Sequence, residues 1–196
     1  MKSECSIPFS FLLGAGHFIA GLALCLSFLA VPVVSYSESQ QAEEYEVKAA
    51  FLFNFARLTE WPGDAFRLHD KNFEICILGN DRFGGILDTL SSRAIGGRSV
   101  SIRRITDFRE SSACNLLFIS SSEAYRLLDI ISFVKERPIL TVSNIKGFEK
   151  EGGIIAFYLM DNRVRFRINI DAARKARLKI SSYLLEVAGI ARDGGK

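Results

Sequence analysis

Apolar positions recur at helical spacing from Glu43 to Pro62, EEYEVKAAFLFNFARLTEWP. On a helical wheel Tyr45, Val47, Phe51, Leu52, Phe55, Ala56 and Leu58 share one broad face, which predicts a core-facing helix. Glu43 and Glu44 sit in its first turn, where the helix dipole favours negative charge. Trp61 precedes Pro62, and a residue before proline is pushed out of the α region, so the helix is expected to end there. Phe53 falls on the opposite side, among Glu46, Arg57 and Glu60; it reads either as an exposed contact anchor or as a side chain packed under a loop.

Beyond a polar connection, FEICILG suits a buried strand, and Asp81–Ser92 places Phe83, Ile86, Leu87 and Leu90 at helical spacing. SVSIRRI alternates like a strand nearer a sheet edge. NLLFIS is a second buried strand, and Ser120 with Glu123 forms a capping-box pattern before a helix that presents Ala124, Leu127, Leu128, Ile131 and Val134. PILTVS, GGIIAFYL and VRFRIN complete six strands, the last two joined at Asp161–Asn162, residue types that tolerate a tight hairpin turn. Asp171 can cap a final helix, DAARKARLKISSYLLEVA, ended by Gly189. Strands alternating with helices predict an α/β three-layer sandwich, flavodoxin-like or receiver-like, with a mostly parallel sheet ending in an antiparallel hairpin.

Residues 1–37 stand apart from this pattern. From Ile7 to Val34 the chain carries no charged residue. With Ser35 and Ser37 at the −3 and −1 positions before Glu38, the stretch reads as a secretory signal peptide, with an uncleaved membrane anchor as the alternative. Residues 38–196 are then a single domain of roughly 160 residues, large enough for its own core. The net charge of +3 argues against a dedicated nucleic-acid binder. Cys76 and Cys114 remain after cleavage; in an oxidising compartment the first expectation is a disulfide, the alternative two separate buried thiols.

Candidate chemistry is sparse. His69 is the sole histidine beyond the leader and reads as a solvated loop residue, which removes multi-histidine metal sites and leaves no cofactor or catalytic motif in view. GNDRFGG, with Gly79, Asp81 and Gly84, lies between strand and helix, where an α/β fold can cradle an anion. Gly85 and Ile86 occupy the positions where a phosphate-binding loop needs Lys and Ser or Thr, so the stretch reads as a tight turn or a small-ligand site. Arg163, Arg165 and Arg167 project to one side of the sixth strand and Arg174 follows on the last helix: a basic strip for an acidic partner, or a solvated strand whose charges block aggregation.

Taken together, Tyr45, Val47, Lys48–Leu52, Asn54–Ala56, Trp61 and Pro62 resemble the opening helix of the YfiR family of small periplasmic regulators. ILGNDRFG, CNLLFIS, PILTVS, GGIIAF, DNRVRFRIN and SSYLLEVA continue the similarity in order. The resemblance implies an exported, dimeric, non-enzymatic α/β protein that binds the periplasmic portion of an inner-membrane diguanylate cyclase or sensor kinase and holds it inactive. It also implies a bond between Cys76 and Cys114; a second cysteine pair that some relatives carry near the GG segment is missing. On this reading Phe53, Arg57 and the arginines at 163, 165, 167 and 174 are the contact surface. The rival reading is a periplasmic small-ligand-binding protein using Gly79–Gly85.

Overall fold

A computed structural model describes residues 34–66 and 71–191. The leader up to residue 33 and His69 lie outside the described residues. The chain divides into two compact units, 1–39 and 40–196. Its strands are β1 (Thr59–Glu60), β2 (Asn72–Leu78), β3 (Ala94–Ile95), β4 (Arg98–Ile105), β5 (Leu116–Ile119), β6 (Leu140–Ser143), β7 (Ile155–Met160), β8 (Arg163–Asn169), β9 (Lys179–Ile180) and β10 (Gly189–Ala191). The α-helices are α1 (Val34–Arg57), α2 (Gly85–Asp88), α3 (Leu127–Val134), α4 (Ile170–Lys175) and α5 (Ser182–Val187).

Eight strands form one sheet in the order β10-β8-β7-β6-β5-β2-β4-β3. From β4 to β7 every pairing is parallel, while β7–β8 and β3–β4 are antiparallel. The parallel strands thus follow the doubly wound 2-1-3-4-5 order of flavodoxin-like folds. Alternation along β2 explains the layering, because successive side chains point to opposite faces. Ile75 and Ile77 enter one core with α1, α2, α4 and α5; Cys76 and Leu78 enter a second with α3. The expected three-layer sandwich with its terminal hairpin is therefore the observed one. Asp161 and Asn162 both take positive φ, 52° and 56°, the geometry of a two-residue turn whose twist matches its strands.

α1 supplies the centre of the first core. Tyr45, Leu52, Phe55 and Ala56 are buried, and Phe55 packs against Phe51, Phe157 and Phe166 at ring-centroid distances of 4.8–5.6 Å. Such aromatic pairs contribute about 0.5–1.5 kcal/mol each beyond the area they bury. Val47, expected on the same face, is exposed instead. Lys48 is buried beside it, its ammonium over the Tyr45 ring at 4.4 Å and paired with Glu44.

Three expected helices are shorter or differently phased. The Asp81–Ser92 segment forms α2 followed by a 3-10 turn at Thr89–Ser92. The helix after Ser120 begins as a 3-10 turn, Ser121–Arg126, before α3. At three residues per turn that start rotates the face, so Leu127, Ile130, Ile131 and Val134 are buried while Ala124 and Leu128 are exposed. Glu123 turns to Arg126 rather than closing a capping box. The last helix is broken: α4 is capped by Asn169, not Asp171. Arg177 then takes a left-handed φ of 59°, β9 pairs with β1, and Ser181 caps a new helix, α5.

Candidate functional site

The break between α4 and α5 creates a surface feature. α5 lies beside α1 and β8, and the three enclose an open groove of about 580 Å³ lined by Phe51, Leu58, Val164, Phe166, Leu184 and Val187, with Asn54, Arg57, Arg165 and Tyr183 at its margins. Phe51 and Phe166 form its floor as an edge-to-face pair at 5.3 Å. Tyr183 and Val187 are 64% and 56% exposed, which beside the apolar floor makes them accessible contact candidates. An apolar floor flanked by two guanidinium groups can hold an apolar anchor and an acidic neighbour of a partner chain.

Arg57 and Arg165, both expected as contact residues, meet at this groove. The other members of that set are dispersed. Phe53 is not an exposed anchor: it is only 7% exposed, and the Arg93 guanidinium lies 5.0 Å from its ring centroid. The segment after α2 covers a position that the helical wheel alone placed among charges. Arg167 stacks 4.1 Å over Tyr158 and approaches Glu149 at 3.8 Å. Arg174 pairs with Asp171 at 3.4 Å on the surface, and Arg163 is exposed at the hairpin. The apolar spacing reads as one continuous helix and hides Tyr183 and Val187; the two serines before them are the available signal of a new N-cap.

Cys76 and Cys114 form a disulfide with a Cα–Cα distance of 5.9 Å, tying β2 to the chain two residues before β5 in the second core. At the sheet's switch point between β2 and β5, the Gly79–Gly85 turn is internally bonded. Gly79 has φ +85°, and a Cβ there would stand within 3.0 Å of Ser122 Oγ and Glu123 Oε1, so the Ser121–Arg126 turn occupies the crevice. The Asn80 amide donates to Ser122 Oγ at 3.0 Å. Asp81 Oδ1 accepts from the Phe83 and Gly84 amides, and Oδ2 from Arg104 Nε at 2.7 Å. Arg104 also donates to Asp88 and to the Gly84 carbonyl; its bonds to Asp88 and then Asp81 hold its pKa above the ordinary value.

Above the strand ends, Asn144 Nδ2 donates to the Tyr45 hydroxyl at 3.3 Å. Burial pushes the Tyr45 phenol pKa up, against the opposing charge of Arg82. Among the described residues no group of three or more His, Cys, Asp or Glu is placed to hold a metal, and no helix is long and apolar enough to cross a membrane.

Among curated proteins, the chain is similar to the ATP synthase subunit alpha of Beutenbergia cavernae, 24% identical over 164 residues that cover 76% of this chain and 29% of that protein. The chain thus spans less than a third of that relative's length, and the similarity says nothing of activity here; Gly85 and Ile86 still stand where a phosphate-binding loop has Lys and Ser or Thr. The model of the YfiR/HmsC-like family matches residues 45–189, from the buried Tyr45 of α1 through the groove helix α5 to the start of β10. That match spans both cores, the disulfide and the groove, and the chain belongs to the YfiR/HmsC-like family.

Proposed function

We infer that this protein is a periplasmic, non-enzymatic regulator that binds the periplasmic portion of an inner-membrane diguanylate cyclase and holds it inactive. The family match over residues 45–189 carries this reading, and the groove between α1, β8 and α5 supplies a physical means. A partner segment with an apolar anchor enters over Phe51 and Phe166, and an acidic residue beside it meets Arg57 or Arg165. Repression then needs no active site, only tighter binding to the inactive state. Moving a partner from 1% to 99% inactive takes a preference of about 10⁴-fold, about 5.5 kcal/mol. Three anchoring residues at about 2 kcal/mol each reach that figure.

The test is crosslinking of a C-terminally tagged chain in intact cells, with the same chain carrying Val187→Asp as comparison. Recovery of a membrane cyclase with the wild type and its loss with Val187→Asp supports the reading. Recovery of self-crosslinks alone defeats it, leaving a homodimer without a membrane partner.

A further inference from the structure

A second cavity, of about 570 Å³, opens at the opposite end of the sheet from the Gly79 turn, where β2, β5 and β6 begin. Its position is unusual, since doubly wound sheets ordinarily bind ligands at the carboxyl ends of their strands. Two kinds of charge line it. Glu74 stands on the disulfide face of β2, two residues before Cys76, and its backbone is clamped at both polar groups by Asn115: the Glu74 amide donates to Asn115 Oδ1 at 2.8 Å and the Asn115 amide donates to the Glu74 carbonyl at 2.9 Å. With the backbone fixed, the side chain enters the cavity lining, yet its buried Oε2 has no hydrogen-bond partner. A buried carboxylate oxygen without a donor is costly and rare in folded proteins, and calls for a donor supplied from elsewhere.

Cations line the same cavity. Arg103 faces it from the β4 position paired with Cys76 and reaches only a distant Glu110 oxygen, at 3.7 Å. Arg137 is held by one bond, Nε donating to the Phe133 carbonyl at 2.9 Å, with its guanidinium 4.3 Å over the Phe133 ring. That anchoring fixes the group and leaves its two terminal nitrogens unengaged among the described residues. Lys71 adds a third cation.

We propose that this cavity binds a small dipolar molecule, with a primary amine at one end and a phosphate at the other. The amine donates to Glu74 Oε2, and the anionic group accepts from Arg137 and Arg103. The volume lies within the range of small-ligand sites, and a molecule with both charges satisfies the orphaned oxygen at one end and the guanidinium groups at the other.

The experiment is calorimetric titration of the intact, oxidised protein with phosphoethanolamine, and in parallel with inorganic phosphate and with ethylamine, which represent its two halves. Phosphoethanolamine is expected to bind at least roughly tenfold more tightly than either half. Glu74→Gln, which keeps the shape and removes the charge, is expected to abolish that advantage while leaving phosphate binding unchanged; Arg137→Gln, on the exposed rim, is expected to weaken phosphate and phosphoethanolamine alike. Absence of phosphoethanolamine binding, or equal binding by the wild type and Glu74→Gln, overturns the assignment. Flotation with phosphatidylethanolamine vesicles distinguishes the sources of the same chemistry. Flotation that is lost in Glu74→Gln supports a lipid headgroup, and binding of free phosphoethanolamine without flotation supports a soluble molecule.

Discussion

Removing the disulfide tests how far the second core depends on a covalent tie. The bond joins residues separated by 38 positions, enclosing α2, β3 and β4. In the chain-entropy model a crosslink closing a loop of that length restricts the unfolded chain by about 4 kcal/mol. For a domain of this size each kcal/mol moves the melting temperature by about 2–4 °C, so the loss corresponds to about 8–16 °C. Cys76→Ala/Cys114→Ala is the suitable perturbation, because serine would leave hydroxyls where both sulfurs are now buried. Urea unfolding is the assay. The stability in water should fall by about 4 kcal/mol, and the dependence on urea should steepen as the untied chain exposes more surface. A loss below about 1 kcal/mol with an unchanged slope would show that the unfolded chain gains no freedom, and would refute the argument.

Other outcomes follow from single sites. Gly79→Ala combines a φ of +85° with a Cβ within 3.0 Å of Ser122 Oγ and Glu123 Oε1, and should destabilise by about 2–4 kcal/mol in urea melts, with Ser122→Gly relieving only the contact to Ser122 and leaving the clash with Glu123 and the backbone strain. Tyr183→Ala should weaken partner capture by about 2 kcal/mol, about thirtyfold, while leaving the melting temperature unchanged, because the side chain is largely solvated. The bond from Arg177 holds the Asp64 carboxyl below its ordinary pKa of 3.8. A depressed folded-state pKa stabilises above the unfolded value and ceases to as pH falls through the folded one. Melting curves of the wild type and Arg177→Gln should therefore differ at neutral pH and converge in acid; a constant gap would refute the linkage.

The framework was legible because its signals are local. The α1 face and the Asp161–Asn162 turn each follow from spacing or backbone preference, whereas α1 ends at Arg57, ahead of the short strand β1, and not at Trp61–Pro62. The groove was not legible, because it requires a helix to stop where nothing in the local sequence stops it. DAARKARLK has good helix formers and neither glycine nor proline, yet the chain turns at Arg177 so that Leu178 enters the core and Lys179–Ile180 pair with Thr59–Glu60. Tertiary burial and strand pairing outweigh a propensity difference of at most about 0.7 kcal/mol per residue. Phe53 shows the same limit. A wheel assigns it to a polar face, but the Arg93 guanidinium covers its ring.

That break also gives the groove its rigidity. Leu58 closes α1 with its amide on the Asn54 carbonyl, and its own carbonyl accepts from the Ser181 amide at 3.0 Å. Ser181 caps α5, so one residue at the end of α1 fixes the start of the helix that forms the opposite wall. Two residues beyond β1, Pro62 opens the turn that carries Asp64, and Asp64 accepts from Arg177 Nη1 at 2.8 Å, on the left-handed residue that ends α4. The two walls are thus joined by β1–β9 pairing, by the Leu58–Ser181 bond and by an ion pair, rather than by α5 packing alone. A groove held in this way loses little freedom on binding, and under the proposed function that preorganisation is what lets a short contact discriminate between two states of a partner.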